Sequence, residues 1–177
     1  MLAIEKRDNY WVLRLADNTE VVLREARGSE DKDRVLDFYK SLDRDTIYSR
    51  FLHITRNFEP IVSKTTNPET GVCIIAEIKG QIVGLGEAVY IDGKKQKAEV
   101  AVIVKPEWRR RKIGTALMFV LRELGVSRGV KWGYATIFAH NFSALRIAKK
   151  FGAITKKINM HTIYICVPLT GEPEGCW

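Results

Sequence analysis

The sequence contains few cysteines and no long apolar run. Its 177 residues include 3 cysteines. These lie far apart, at Cys73, Cys166 and Cys176, so neither a disulfide framework nor a zinc site is expected. The longest apolar run near the middle, residues 116–121, is far shorter than the roughly 20 residues that span a bilayer. Residues 5–8 are charged where a signal peptide needs its apolar stretch. These absences predict a protein of the reducing cytoplasm with no membrane partner.

Basic residues outnumber acidic ones, with 29 Lys and Arg against 21 Asp and Glu, for a net charge of +8. This excess favours an anionic partner, which could be nucleic acid, an acidic protein surface or a phosphorylated cofactor. Nucleic acid is the least expected of these, because no helix-turn-helix or RNA-binding aromatic motif is recognisable. The three histidines show no metal-ligand spacing, so no metal is assigned.

Hydropathy patterns predict one α+β domain over residues 1–177, with a mixed sheet covered by helices. Residues 1–19 contribute an extra hairpin strand, residues 57–70 form an irregular connection, and residues 168–177 form a loose tail. Ser29 is expected to cap the first helix. The predicted order is strands at 11–15 and 21–25, helices from 29 and over 45–52, strands at 72–78, 82–91 and 98–104, a helix from 113, a strand at 132–138, a helix after 141 and a strand at 163–167.

The segment 97–117 gives the clearest indication of ligand binding. A strand, a short loop, four consecutive cations at 109–112 and a helix that begins near Ile113 follow without a gap. The N–H groups and the positive dipole at a helix start bind phosphate, and Gly114 lets a ligand approach the backbone closely. The pattern therefore predicts a pyrophosphate site. A solvated basic loop is the alternative interpretation.

This segment resembles motif A of the GNAT N-acetyltransferase superfamily, Q/R-x-x-G-x-G/A, which cradles the pyrophosphate of acetyl-CoA. Residues 109–114 match it with Lys112 at the position of the first glycine, and residues 111–116 fit a second register. Motif B, N-x-x-A-x(5)-K-x-G-F, resembles the stretch from Asn141 to Gly152, with Ala153 in place of the phenylalanine. Residues 41–51 are similar to the S-L-S-x-E-T-x-Y-x-R-F element of Pat-type protein lysine acetyltransferases.

The resemblance implies the GNAT fold, a twisted, mixed and mostly antiparallel sheet with helices on both faces, and acetyl-CoA as the acyl donor. It implies Glu99 as the catalytic general base. Glu87, a second carboxylate across the hairpin on the neighbouring strand, is a rival base. The tyrosine that serves many members as general acid is replaced by Ala148, so either the CoA thiolate leaves unaided or Tyr134 or Tyr164 assists it. The implied acetyl-CoA-binding residues are Val102, Ile103, Val104, Arg109, Arg110, Arg111, Lys112, Ile113, Gly114, Thr115, Ala116 and Asn141.

The expected function is transfer of an acetyl group to a lysine ε-amine exposed on a protein. One alternative is acetylation of a small amine, such as a polyamine, an amino acid or an antibiotic. Another is a non-catalytic sensor that binds acyl-CoA, or a module that binds nucleic acid. The sequence leaves the acceptor, the acyl group and the oligomeric state open.

Overall fold

The computed structural model describes residues 2–177. Within them the chain forms nine strands and five α-helices. Their bounds are β1 Ile4–Arg7, β2 Tyr10–Arg14, β3 Glu20–Glu25, α1 Gly28–Lys40, α2 Arg44–Phe51, α3 Glu59–Thr65, β4 Gly71–Ile78, β5 Gln81–Tyr90, β6 Lys97–Val104, α4 Ile113–Ser127, β7 Trp132–Phe138, α5 Phe142–Lys150, β8 Ile154–Lys157 and β9 Thr162–Pro168.

The nine strands form one sheet in the order β1-β2-β3-β4-β5-β6-β7-β9-β8. Seven of the eight neighbouring pairs are antiparallel, and β6 with β7 is the parallel pair. Helices α1, α2 and α3 pack on one face with Ile75 and Ile103 in their core, while α4 packs on the opposite face against Ile74 and Leu23. This architecture confirms the predicted fold class.

Strands β6 and β7 pair only at their beginnings. Their register runs from Lys97 opposite Trp132 to Glu99 opposite Tyr134. Beyond these pairs β6 continues to Val104 and β7 to Phe138 without pairing to each other. Backbone N–H and C=O groups need hydrogen-bond partners, so the inner edges of the two strands can accept an extended ligand. The sheet thus has an opening in its middle.

An ion cluster fastens α1 to the sheet. Asp31 is buried and accepts two hydrogen bonds from the guanidinium of Arg24, at 2.7 and 3.0 Å, and one from Arg34, at 3.1 Å. Both arginines also contact Glu77 on β4, at 2.8 and 2.6 Å. The hydrogen bonds from Arg24 outweigh the effect of burial and lower the pKa of Asp31 to about 2.

Two predictions about local structure in the first half of the chain are wrong. Ser29 does not cap α1, because the helix begins at Gly28 after Arg27, and the Asp31 carboxylate accepts the Arg27 backbone N–H at 2.8 Å instead. The connection over residues 57–70 is not irregular throughout, because α3 lies within it. Pro60 occupies the first turn of α3, where a helix needs no hydrogen-bonded N–H.

The segment 168–177 is not a loose tail, and the expectation that no disulfide forms is also wrong. Cys166 and Cys176 are joined by a disulfide. The Trp132 indole N–H donates to the carbonyl of Glu172 at 2.8 Å. A Cβ added at Gly171 or Gly175 would stand 2.3 or 2.2 Å from the Trp132 ring, so only glycine lets the chain cross this tryptophan. The glycines that suggest flexibility in the sequence instead allow close packing.

Candidate functional site

The opening between β6 and β7 leads into a cleft of about 840 Å³. Its lining includes Glu99 and Arg50 on the side of α2, and Gly114 and Ile147 on the side of α4 and α5. The cleft therefore connects the two faces of the sheet. Its volume falls in the range typical of ligand sites, roughly 300–1,000 Å³.

The N-terminus of α4 forms one end of the cleft. Lys112 is the N-cap of this helix, has a φ of +72°, and makes no side-chain cap hydrogen bond. Arg110 also has a positive φ, +60°. Turns with alternating left-handed residues bring successive N–H groups together, and the first N–H groups of a helix have no partner within it. The backbone dipole and the cationic side chains are groups that can hold an anion, and this end of the cleft is called the anion site below.

The structure brings most of the predicted residues to this cleft. Two of them do not line it. The guanidinium of Arg111 lies over the ring of Trp108, at 4.9 Å, and 3.9 Å from Asp17. Ala116 is completely buried in the core beneath α4. The residues that line the cleft as predicted are Glu99, Val102, Ile103, Val104, Arg109, Arg110, Lys112, Ile113, Gly114, Thr115 and Asn141.

Arg109 braces the cleft from within. Its Nε donates to the carbonyl of Val104 at 3.0 Å, and its Nη2 donates to the hydroxyl of Thr46 at 2.8 Å. The side chain therefore ties the end of β6 to the first turn of α2. The resemblance implies that Arg109 binds pyrophosphate, whereas these contacts indicate that it also holds the walls together.

Glu99 lies at the point where the two strands separate. It is exposed and lines the cleft, and it forms the last register pair of β6 and β7 with Tyr134. Among the cleft-lining residues in the described part of the chain, Glu99 is the one carboxylate. Its charge, together with burial as the larger cause, raises the pKa of Tyr164. An exposed carboxylate at this position can accept a proton from a group in the cleft.

The structure does not bring Glu87 to the cleft. This carboxylate is 1% exposed. It accepts hydrogen bonds from the hydroxyls of Tyr39 and, at 2.9 Å, Thr65. Burial, followed by the negative charge of Glu87, raises the pKa of Tyr39 well above its ordinary value, so its hydroxyl stays a donor. Glu87 thus organises the core beneath α1 and α3.

Arg50 is a site residue that the sequence analysis did not assign. It lines the cleft, and its Nη2 lies 3.7 Å from Oε1 of Glu87. Its buried Nε has no hydrogen-bond partner in the described structure. Burial acts to lower the pKa of Arg50, but its interactions with the Tyr39 hydroxyl and the Glu87 carboxylate outweigh burial, so the pKa is raised. The signal that could have identified Arg50 is its position in the Pat-like element over residues 41–51.

The tyrosines considered as acids face other groups. The Tyr134 hydroxyl donates to the carbonyl of Cys176 at 2.9 Å. The Tyr164 ring stacks on that of Tyr134, with centroids 5.7 Å apart. Burial is the main cause that raises both pKa values. Ala148, which replaces the usual acid, does line the cleft.

Residues 2–177 contain neither a cluster of metal-ligating side chains nor a membrane-spanning helix. No group of three or more His, Cys, Asp or Glu side chains in this range could hold a metal ion. None of the helices described has the length and apolar character needed to cross a membrane.

The chain matches known proteins in sequence and in fold. The model of the acetyltransferase (GNAT) family matches residues 34–153. The GNAT domain of PAT from S. lividans has 19% identity and a TM-score of 0.79, with 90% of this chain and 97% of that domain covered. The yncA protein from Salmonella typhimurium, solved with its cofactor acetyl-CoA, has 14% identity and a TM-score of 0.69, with 86% and 95% covered.

A third solved structure is the ribosomal-protein-S18-alanine N-acetyltransferase from Escherichia coli, with 14% identity, a TM-score of 0.64, and 89% of this chain and 99% of that chain covered. At these identities the three likenesses establish the shared fold. The family match extends over more than half of the chain, and it includes both the anion site at α4 and Glu99. The chain therefore belongs to the acetyltransferase (GNAT) family, whose members are acyltransferases that use acetyl-CoA.

Proposed function

We propose that this protein transfers the acetyl group of acetyl-CoA to a lysine ε-amine on another protein, by direct attack in a ternary complex with Glu99 as general base. The position of Glu99 supports the proposal most strongly. This exposed carboxylate lies where β6 and β7 separate, within the cleft that also reaches the anion site of α4. A base and a donor site thus share one cavity.

The cleft fits acetyl-CoA in two respects. The N-terminus of α4, with Arg110 and Lys112, offers N–H groups and positive charge to a pyrophosphate. The edge of β6 beyond Glu99 offers backbone groups to the amide-containing pantetheine arm, in the manner of an added strand. Asn141 caps α5 by accepting the Ala144 N–H at 3.2 Å and so fixes the far wall. Acetyl-CoA, when bound, supplies a thioester already activated for attack.

Glu99 has to remove a proton from the acceptor. A lysine ammonium has a pKa of about 10.4, so almost all of it is protonated at neutral pH and cannot attack a thioester. Glu99 takes up this proton directly or through one water. Catalysis otherwise rests on holding the amine and the thioester together, which can supply several kcal/mol.

The leaving thiolate departs without a tyrosine acid in this proposal. Ala148 has no proton to donate, and the Tyr134 hydroxyl is directed at the Cys176 carbonyl. A thiol with a pKa of about 8.5 is a good enough leaving group to depart as the anion.

The proposed compartment is the cytoplasm, where disulfides are usually transient, so the Cys166–Cys176 bond would be open to reduction there.

The test measures acetyl transfer by the native protein, by Glu99→Gln and by the matched control Glu123→Gln, an exposed glutamate on α4. A lysine-containing protein extract and a polyamine serve as separate acceptors. Mass spectrometry locates ε-acetyllysine, and thiol release gives the rate. We expect turnover with the extract that falls about 10²- to 10⁴-fold in Glu99→Gln and is unchanged in Glu123→Gln.

Other outcomes redirect the proposal. Turnover with the polyamine alone indicates a small-amine acetyltransferase. No turnover with either acceptor, although acetyl-CoA raises the Tm, indicates a sensor that binds acyl-CoA. Full activity in Glu99→Gln excludes Glu99 as the base.

A further inference from the structure

The C-terminal segment, residues 172–177, lies on the same face of the sheet as Glu99. In the strand register Tyr134 stands opposite Glu99 on β6 and opposite Cys166 on β9, so these three side chains share a face. The disulfide from Cys166 to Cys176 and the hydrogen bond from Tyr134 to the Cys176 carbonyl fasten the segment there. The end of the chain is thus held beside the opening of the sheet.

This attachment fixes the position of Trp177. Its ring centroid lies 5.3 Å from that of Tyr164 and 6.4 Å from that of Tyr134. Tyr134 lines the cleft, and the pKa of Tyr164 is raised by burial and, to a smaller extent, by the charge of Glu99. Trp177 nevertheless remains 51% exposed. A half-exposed indole packed against Tyr134, which lines the cleft, offers an aromatic surface next to the cleft to a ligand.

The rings of this cluster already accept alkylammonium groups of the chain itself. Nζ of Lys156 lies 5.6 Å from the centroid of the Trp177 ring. Nζ of Lys97 lies 6.0 Å from that of Tyr134. Contacts of this kind are attractive, because the face of an aromatic ring is electron-rich. The surfaces are therefore compatible with the side chain of an acceptor lysine.

We propose that Trp177, with Tyr164, forms a wall of the acceptor site facing α2, and that the Cys166–Cys176 disulfide holds this wall in place. The inference rests on the proposed function and specifies which residues bind the alkyl chain of the acceptor amine. It also couples acceptor binding to redox state. A dithiol reductant gives two hydrogens to the disulfide, the S–S bond breaks, two cysteine thiols form, and the reductant becomes a cyclic disulfide.

Reduction frees Cys176 and weakens the hold on Trp177 without touching the anion site, which α4 forms on the opposite face. The acceptor KM should therefore rise while the acetyl-CoA KM stays constant. Loss of a cation–π and packing contact weakens binding by about 5- to 30-fold. This split between the two substrates would not follow from general destabilisation.

The experiment determines KM and kcat for a lysine peptide and for acetyl-CoA, with acetylated peptide quantified by mass spectrometry because reductant interferes with thiol detection. The samples are the native protein with and without dithiothreitol, Trp177→Ala, Trp177→Phe and Cys176→Ser. Met160→Ala is the control, because Met160 is 81% exposed in the turn before β9. We expect a raised acceptor KM in Trp177→Ala, in Cys176→Ser and in the reduced native protein, and near-native values in Trp177→Phe and Met160→Ala. Dithiothreitol should have no further effect on Cys176→Ser.

An acceptor KM that is unchanged in Trp177→Ala would refute the proposal that Trp177 forms a wall of the acceptor site. The proposal is also refuted if the acetyl-CoA KM of Trp177→Ala rises by the same factor as its acceptor KM. Melting temperatures identify any variant that fails to fold, and the native protein with and without reductant then decides. A native protein that acetylates the peptide at the same KM after complete reduction refutes the redox coupling. No turnover by the native protein on any amine refutes the proposed function, and the wall with it.

Discussion

Replacing Glu87 by Gln should destabilise the protein without removing its catalytic base. Glu87 is 1% exposed and accepts hydrogen bonds from Tyr39 and Thr65, with Arg50 at 3.7 Å. The amide keeps one acceptor oxygen but turns an N–H₂ group toward a hydroxyl, and it leaves the guanidinium without its carboxylate. Breaking one side of a buried ion pair costs about 3 kcal/mol. For a chain of this length that lowers the Tm by about 10 °C.

Urea unfolding and thermal melting measure the loss, and Glu99→Gln is the matched comparison because the same chemical change is made on the neighbouring strand. Glu99→Gln should keep the native Tm and lose its rate, since Glu99 is exposed. Glu87→Gln, assayed well below its Tm, should keep the pH dependence of kcat/KM. The kcat/KM in that assay is for the acceptor, measured at saturating acetyl-CoA, because bound acetyl-CoA raises the Tm of the variant and of the native protein.

The reasoning fails if Glu87→Gln keeps its Tm and loses a hundredfold in rate, because Glu87 would then act in catalysis rather than in the core. It also fails if the pH profile moves with Glu87 and not with Glu99. A variant that melts about 10 °C lower with an unshifted profile supports the division of roles between the two carboxylates.

Two other features give tests. The pKa of Asp31 is lowered to about 2, so the cluster stabilises the fold above the ordinary carboxyl pKa and loses this effect as pH falls toward 2. Asp31→Asn should therefore lower the free energy of unfolding, measured by urea unfolding, by about 2 kcal/mol at pH 7. The difference in this free energy between Asp31→Asn and the native protein should narrow below pH 4. The control Asp33→Asn, at an exposed position, should keep the native free energy of unfolding. A Cβ on Gly114 would stand 3.0 Å from Cδ1 of Ile147. Gly114→Ala should raise the Kd for acetyl-CoA about 10-fold, because the added Cβ crowds the α4–α5 contact. Adding Ile147→Val removes that Cδ1 and should restore the Kd measured by titration calorimetry; a double variant that still binds about 10-fold more weakly would refute the steric explanation.

The periodicity of apolar residues predicted the longer helices and strands. The apolar stripe with Ile113, Leu117 and Leu121 gave α4, and these side chains are buried. Alternation gave the strands of the central meander within one residue at each end. The four-residue strands β1 and β8 were missed, because so short a segment carries too little periodicity. The resemblance to motif A correctly indicated residues that form one end of the cleft.

The difference between Glu87 and Glu99 could not be read from the sequence. Glu87 stands opposite Ala101, two residues beyond Glu99 on the same face of the sheet, so strand register makes the two carboxylates near neighbours. Glu87 is buried because α1 and α3 cover it with Tyr39 and Thr65. Glu99 is exposed to the cleft because β6 and β7 stop pairing beyond it. Both causes are contacts between segments distant in sequence.

The C-terminal segment shows why composition can mislead in the same way. Gly171 and Gly175 flank Pro173, a combination typical of a flexible tail. Glycine has no side chain, so it also allows two segments to pack most closely, and the neighbouring residues decide whether it does so. Here the ring of Trp132 lies beneath both glycines, and alanine at either would place a Cβ within 2.3 Å of the ring. Once the chain has crossed that ring, Cys176 reaches Cys166, which lies ten positions earlier in the sequence, within β9. The two glycines thus let the chain cross Trp132 closely enough for Cys176 to reach Cys166, and a larger residue at either glycine should hinder formation of the disulfide and leave Trp177 less firmly held.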